Sequence, residues 1–300
     1  MKKFIDICQA CLVLFGMMIC GLFIAGLSVY LFKDTPKSEV AQWVMFSAQN
    51  IFAFILPAVL TWKICFKNNP LRLMGATSMP SVRMIGIAIA VYFIGIPALN
   101  QIVYWNQEVV LPDAFASFEQ WCRETEERAA AETAIILNVD SVWQMLMNIL
   151  VIGVLTGIGE EFFFRGGLQK ILLHCGVRQH VAIWSAAIVF SALHFQFYGF
   201  VPRVLLGAWF GYLYCWSGNI WVSSLAHAIN NSIVIVSQWL VNKELISEDF
   251  DMFGVTENTF PFAFLVSGVL VGLVLYFCHK KGWLPAQSKD MTSSLKNSKV

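Results

Sequence analysis

Eight apolar stretches of about twenty residues dominate this chain and constrain its fold more than any other feature. A helix rises about 1.5 Å per residue, so roughly twenty residues cross the ~30 Å hydrocarbon core of a bilayer. The chain is 58% hydrophobic and 13% charged, whereas soluble domains carry about 25% charged residues. The sequence therefore predicts an all-α, polytopic membrane helix bundle with about eight transmembrane helices. The predicted spans are 8–32, 41–62, 82–104, 142–169, 180–197, 203–217, 220–241 and 260–279.

The charges in the connections predict the orientation of the bundle. The N-terminus, the connections after the second and fourth spans and the C-terminal tail are basic, whereas 105–140 and 242–259 are acidic. Because basic connections stay on the cytoplasmic side, this alternation predicts that both termini are cytoplasmic. We interpret the host membrane as the inner membrane of a bacterial cell. A net charge of +1 gives no reason to expect a nucleic-acid partner.

The chain is interpreted as one membrane unit in four parts, since neither a repeat nor a long linker divides it. The second part holds most of the polar residues at membrane depth, and the last is rich in Ser and Lys without an apolar period, which is typical of disorder. The four parts are 1–140 (three helices and an acidic outer loop), 141–241 (the polar-residue bundle), 242–283 (an acidic loop and the last helix) and 284–300 (a disordered basic tail).

Residues 115–134 of the outer loop have the spacing of a short amphipathic helix. Phe115, Phe118, Trp121 and Cys122 fall at i, i+3, i+6 and i+7, which leaves the acidic residues on the other face. Two interpretations stay open: a helix that lies on the membrane surface, and a solvated connecting helix.

Two carboxylates and a guanidinium interrupt the fourth apolar stretch, at Glu160, Glu161 and Arg165. Ionised groups at membrane depth cost about 2.5 kcal/mol or more each, so such residues are usually functional. Glu161 and Arg165 are i,i+4 neighbours in the order that favours an ion pair. Glu160 is rotated by about 100° from Glu161 and can face a different partner. This spacing predicts a supporting Glu161–Arg165 pair and leaves Glu160 available for chemistry.

Further polar residues lie in the fifth and seventh spans, at His194, His227 and Asn231. Glu160 precedes the turn at Gly176 by sixteen residues and His194 follows it by eighteen, so the two lie at nearly the same height on antiparallel helices. His227 is roughly 12 Å from the cytoplasmic side and meets them if the preceding hairpin protrudes toward the cytoplasm. His227 and Asn231 are i,i+4 and point in the same direction.

A glutamate in an apolar site can act as a general base on water. Histidines can bind a metal or stabilise an oxyanion, and an amide can donate to a developing negative charge. This set favours hydrolysis of a peptide bond by activated water. Two versions stay open: a divalent metal such as Zn²⁺ held by Glu160, His194 and His227, and a mechanism without metal.

Arg203, near the start of the sixth predicted span, allows two interpretations. It either lines a cavity or snorkels, so that its guanidinium reaches the membrane surface while its stem covers apolar groups. We favour the snorkelling anchor.

Three motifs in order resemble those of the CPBP intramembrane proteases, a family that includes type II CAAX prenyl endopeptidases and bacteriocin-processing or immunity proteins. They are E-E-x-x-x-R at 160–165, F-x-x-x-H at 190–194 and H-x-x-x-N at 227–231, each on its own predicted helix. The resemblance covers about 140–241, roughly a third of the chain. It implies a peptide or protein substrate, lipidated in the CAAX case, and contact with membrane lipids.

The resemblance also implies a role for each motif residue. Glu160 activates the water and His194 helps to bind or polarise it. His227 and Asn231 form the oxyanion-stabilising or ligand side of the site. Glu161 and Arg165 support these catalytic residues.

Two other functions are alternatives to an endopeptidase. One is a membrane immunity or scaffold protein that keeps these residues only for helix packing. The other is a proton-coupled transporter, because buried Glu, His and Asn sets also form ion relays. The sequence shows no inverted repeat of the kind common in transporters, which disfavours the transporter.

Overall fold

The computed structural model of the chain describes residues 2–32, 38–139, 141–247, 252–257 and 259–284. These residues form helices joined by short connections, and no strand occurs among them. The main helices are α1 (Lys2–Ser28), α2 (Glu39–Phe66), α3 (Val82–Gln107), α4 (Ala116–Leu137), α5 (Val142–His174), α6 (Gln179–Ala192), α7 (Phe200–Ser217), α8 (Ile220–Asn242) and α9 (Phe262–Lys280). Shorter helical turns occur at Val29–Phe32, Pro70–Leu73 and Asp113–Phe115.

The all-α membrane helix bundle is confirmed, and each of the eight predicted spans coincides with a helix. Within the described ranges, six helices are long and apolar enough to cross a membrane: α1, α2, α3, α5, α8 and α9. The other two differ from the prediction. Helix α6 has only 14 residues, about 21 Å of rise, and α7 has Pro202 and Arg203 in its first turn, which lower its hydropathy. The cytoplasmic placement of the termini stays a prediction.

Most of the predicted tail 284–300 lies outside the described residues, and only Leu284 is seen, packed against α3 and α9. The predicted amphipathic helix is present as α4, which runs to Leu137. Phe118 and Trp121 are exposed whereas Cys122 is buried. Part of the predicted apolar face therefore points outward, as it would on a membrane surface.

Helices α2 and α5 contain π-helical segments at Asn50–Ile55, Ile149–Leu155 and Phe162–Gln169. A π segment inserts extra backbone into a turn and is frequent at functional sites. The two helices touch where Asn50 donates from Nδ2 to Thr156 Oγ1 at 3.0 Å. Irregular backbone thus flanks the carboxylates of α5 on both sides.

Helices α5 and α8 approach closely at Gly157. A Cβ at Gly157 would lie 2.9 Å from the backbone nitrogen of Ala228 and 3.2 Å from its Cα. Backbone atoms of a packed helix cannot move aside as the end of a side chain can. The glycine therefore permits the contact that brings α8 against α5, one residue from His227.

We expect Gly157→Ala to force these helices apart and to lower the free energy of unfolding by about 1–3 kcal/mol, the usual cost of overpacking. Thermal unfolding in detergent measures this change. Gly268→Ala on α9 is the matched control, because its Cβ would meet no atom within 4 Å. Equal stability of the two variants would contradict the close contact.

Candidate active site

Four charged or titratable side chains from α5 and α8 converge in the interior of the bundle. Glu160 is 9% exposed, Glu161 0%, Arg165 1% and His227 3%. The structure thus joins two of the three motif helices by direct contacts at membrane depth. A charge buried among apolar side chains needs a partner of opposite charge, and these four side chains pair with one another.

Glu161 and Arg165 form the ion pair that their spacing predicts, with 2.7 Å between Glu161 Oε1 and Arg165 Nη1. Arg165 Nη2 donates to the carbonyl oxygen of Gly207 on α7 at 2.7 Å. The guanidinium lies over the rings of Phe190 and Phe210, 5.0 and 5.5 Å from their centroids. Short charge-assisted hydrogen bonds and cation–π contacts hold it rigidly, so this pair ties α5 to α6 and α7.

His227 lies between the two carboxylates. Its Nδ1 is 3.0 Å from Glu161 Oε1 and its Nε2 is 3.4 Å from Glu160 Oε2. The ring stacks on Phe210 at 4.7 Å between centroids and 19° between planes. The expectation that the two glutamates face different partners is therefore only partly right, because both reach the same imidazole. Because the two glutamates are rotated by about 100° on the helix, each of them reaches a different nitrogen of the same ring.

This arrangement fixes where protons can reside. An ionised carboxylate only accepts hydrogen bonds, so Nδ1 of His227 carries the proton that it donates to Glu161. Nε2 lies 3.4 Å from Glu160 Oε2, so a second proton on the imidazole would point at that carboxylate. When that proton is present, the four side chains carry two negative and two positive charges and the cluster is neutral. Glu160 is then an ionised carboxylate beside a hydrogen-bond donor.

His194 lies beyond the C-terminal end of α6, in the connection Leu193–Gly199, and not on a helix as the motif predicted. Here the chain leaves the helix through tight turns, with the N–H of His194 donating to the carbonyl of Ser191, and Phe195 takes a positive φ of 53°. No glycine or proline at this point of the sequence predicts that α6 ends at Ala192.

The imidazole of His194 is nevertheless held in place. Its Nδ1 donates to the carbonyl oxygen of Phe190 at 2.8 Å, which leaves Nε2 with a lone pair. The Phe190 ring packs edge-on against both histidines, with centroid distances of 5.0 Å to His194 and 5.8 Å to His227. His194 is also close enough to Glu160 for their charges to interact. His194, the histidine of the F-x-x-x-H motif, therefore approaches the cluster from the α6–α7 connection.

Asn231 is the predicted site residue that the structure keeps apart from this cluster. Its Nδ2 donates to the carbonyl oxygen of Ile152 at 3.4 Å, and its Oδ1 accepts from Asn230 Nδ2 at 3.1 Å. Tyr92 of α3 donates in turn to Asn230 Oδ1 at 3.3 Å. Asn231 thus links α8 to the π-helical backbone of α5, one turn beyond His227.

The acidic face of α4 fixes the connection that carries His194. Glu126 accepts from the backbone N–H of Tyr198 at 3.2 Å and from Gln196 Nε2 at 3.3 Å. Glu119 accepts from the Tyr198 hydroxyl at 3.3 Å, and the Arg123 guanidinium lies 4.6 Å over the Tyr198 ring. Sequence reasoning missed these contacts, although the i,i+7 spacing of the two glutamates places them on one face.

Glu119 is the best-connected acid of this outer helix. Its carboxylate accepts from Arg123 at 2.6 and 3.0 Å and from the backbone N–H of Leu111 at 2.8 Å. These donors, with Arg123 foremost, hold the pKa of Glu119 below its usual value. A lowered pKa stabilises the folded chain at neutral pH and ceases to do so as the pH falls through it. The Glu119 carboxylate therefore stays ionised, and continues to hold α4, at a lower pH than an ordinary glutamate would.

Arg203 is half-buried and bonded within the chain, which favours the cavity interpretation over the snorkelling anchor. Its Nη2 donates to Gln196 Oε1 at 2.8 Å, and its Nη1 is buried. Gly199 leaves room for the inward turn, because a Cβ there would lie 2.9 Å from Nη2. The guanidinium is therefore held beside the connection that carries His194.

A divalent metal at this site would need three donors that face one point. In the described ranges, no group of three or more His, Cys, Asp and Glu side chains is placed to hold a metal ion. Both ring nitrogens of His227 face carboxylates, whereas Nε2 of His194 keeps its lone pair. The donors as placed do not assemble a three-ligand site, and the cofactor stays a prediction.

The comparisons with known proteins cover the same part of the chain. Residues 142–233 match the family described as "Type II CAAX prenyl endopeptidase Rce1-like". The uncharacterized protein YpbD of Bacillus subtilis (strain 168) is 30% identical over 90 residues, which are 29% of this chain and 43% of YpbD. The chain thus spans less than half the length of this relative, and no solved structure matches. The E-E-x-x-x-R, F-x-x-x-H and H-x-x-x-N motifs lie inside the matched segment, so this part of the chain is similar to the Rce1-like type II CAAX prenyl endopeptidases.

Proposed function

We propose that this protein is an intramembrane endopeptidase in which Glu160 activates a water molecule. The observation that carries the proposal is the buried set of Glu160, Glu161, Arg165 and His227, which His194 approaches from the next connection. Arg165 pairs with Glu161, so Glu160 is not needed to neutralise the arginine. The Glu160 carboxylate instead faces the imidazole of His227, a group that can donate or accept a proton.

The first step follows from this proton. With the proton on His227, Glu160 is ionised and accepts a proton from a water molecule placed near His194. The water O–H bond breaks as the oxygen bonds to the carbonyl carbon of the substrate. Once Glu160 is protonated it attracts the Nε2–H of His227 less strongly. That N–H then becomes available to the oxyanion on the former carbonyl oxygen.

The second step returns the proton. The C–N bond of the intermediate breaks, and Glu160 gives its proton to the leaving amine, so that the enzyme ends as it began. Asn231 assists the oxyanion if its amide leaves Ile152. Their contact, at 3.4 Å, is at the long limit for a hydrogen bond and costs little to break. No step requires a metal, and a chelator series on the purified protein tests that point.

The finer assignments belong to the same proposal. The substrate is a peptide or protein, and the name of the matched family favours one with a prenylated cysteine. The basic connections favour cytoplasmic termini in a bacterial inner membrane. Leader-peptide processing is the other substrate class that the motifs allow.

Cleavage by the purified protein in liposomes tests the function. A peptide with a farnesylated cysteine near its C-terminus is offered beside the same peptide without the lipid, and mass spectrometry identifies the products. We expect one internal cut, faster with the lipid. Proton flux without any cleavage would favour the transporter, and the absence of both activities would favour a non-catalytic scaffold or immunity protein.

A further inference from the structure

An open groove lies between α3 and α9, at the end of the bundle where α3 begins and α9 ends. Its volume is about 480 Å³, and neither helix carries a residue of the three motifs. The exposed residues that line this α3–α9 groove are Arg83, Gly86, Ala90, Leu273 and Phe277. Because both helices are long and apolar enough to cross a membrane, the groove opens toward lipid and not toward the interior of the bundle.

Two cations border the end of the groove, and an aromatic ring holds each of them. The Arg83 guanidinium lies 5.1 Å from the centroid of the Trp283 ring, and Lys281 Nζ lies 5.5 Å from that of Phe277. The two rings touch edge-on, with 5.9 Å between their centroids. Both cations are exposed, and neither pairs with a carboxylate among the residues that the structure describes. An anion can therefore approach both of them.

Apolar surface leads away from these cations along the same two helices. A Cβ at Gly86 would meet no atom within 4 Å, so the groove has free space beside it. A second cavity, of about 330 Å³, lies further along and is lined by Phe93 and Leu270 among others. Phe93 is ten residues from Arg83, about 15 Å along the helix, which is half of the ~30 Å hydrocarbon core. The apolar path thus has the length of one leaflet.

We propose that the α3–α9 groove binds one phospholipid with an anionic headgroup. The headgroup phosphate lies between Arg83 and Lys281, and an acyl chain lies along the groove past Gly86. In the predicted orientation this end faces the cytoplasm, where the leaflet has a negative surface potential. Residues 285–300 follow directly on the groove, but they carry three lysines and one aspartate. Their net charge has the same sign as the end of the groove, which makes them a poor occupant.

Thermal unfolding of the purified chain in detergent tests the site, because a ligand of the folded state raises the unfolding temperature. The probes are phosphatidylglycerol, which is anionic, and phosphatidylcholine, which is zwitterionic, with the same acyl chains. We expect phosphatidylglycerol to give its half-maximal shift at about a tenfold lower concentration, since each basic residue near a membrane surface attracts anionic lipid roughly fivefold. Arg83→Gln combined with Lys281→Gln brings the two lipids within about twofold of each other. The control, Lys63→Gln with Arg72→Gln, removes two exposed charges from the preceding basic connection and keeps the preference.

Gly86→Leu tests the groove apart from its cations. The leucine side chain enters free space, so the variant should unfold like the parent when no lipid is added. With phosphatidylglycerol we expect the half-maximal concentration to rise about tenfold, because the leucine displaces about two methylene groups of the acyl chain. Glycerol phosphate, which has the phosphate without the chains, should cause no shift in the parent.

Three results would overturn the lipid site: equal response of the parent to both lipids, a preference that survives the loss of both cations, and unchanged binding in Gly86→Leu. A shift with glycerol phosphate as large as that with the lipid would assign the cations to a free phosphate instead. Light scattering of the same preparations reports their oligomeric state. A dimer of the parent that Gly86→Leu dissociates would place a second copy of the chain in the groove and overturn the proposal as well.

Discussion

Replacing Glu160 by Gln is expected to lower kcat for peptide cleavage by about a thousandfold. Glutamine has nearly the same shape but cannot take a proton from water, and general-base catalysis contributes roughly a hundredfold to ten-thousandfold. The fold should survive, because the substitution removes a buried charge and keeps an oxygen that can accept from His227. Cleavage rates and thermal unfolding of the same preparation in detergent measure both effects.

Glu124→Gln is the matched control for this experiment. Glu124 lies on α4, is largely solvent-exposed and pairs with Arg128 at 3.4 Å, so its loss should leave the rate unchanged. His194→Ala should also lose most of the activity, since the proposed mechanism places the attacking water next to both Glu160 and His194. Residual activity within tenfold of the parent in Glu160→Gln would remove Glu160 as the base.

The sequence carried enough information for the bundle and for the central contacts of the site. Hydropathy placed a helix at each of the eight predicted spans, although only six of these helices are long and apolar enough to cross a membrane. The i,i+4 spacing predicted the Glu161–Arg165 pair, which forms at 2.7 Å. Both inferences rely on local periodicity. This is the kind of information that a single sequence records well.

The parts that the sequence did not reveal depend on tertiary packing. The end of α6 before His194 has no glycine or proline signal, and the connection after it is bonded to Glu126 on α4, which is distant in the sequence. Arg203 looked like an anchor because a lone arginine near a predicted span end usually is one. Its true surroundings come from Gln196 and Gly199, which hydropathy cannot relate to it.

Replacing Arg165 by Met is expected to lower the free energy of unfolding by about 3–5 kcal/mol. The substitution leaves Glu161 as a fully buried carboxylate without its cation, and breaking one side of a buried pair has this cost. It also removes the hydrogen bond that Arg165 Nη2 donates to the Gly207 carbonyl of α7. Thermal or denaturant unfolding in detergent measures the change. Arg128→Met, from the exposed pair on α4, should cost less than 1 kcal/mol.

The double variant Glu161→Gln, Arg165→Met decides whether the buried pair itself stabilises the fold. Neutral replacements of a buried ion pair are often no less stable than the pair, because its desolvation cost is large. We therefore expect the double variant to regain much of the stability that Arg165→Met loses. Its activity should nevertheless stay low, since Glu161 no longer holds the proton of His227 Nδ1 as a carboxylate does. Full recovery of both properties would show that Glu161 and Arg165 only fill space. Stability without activity would show that they orient and charge the imidazole on which Glu160 depends.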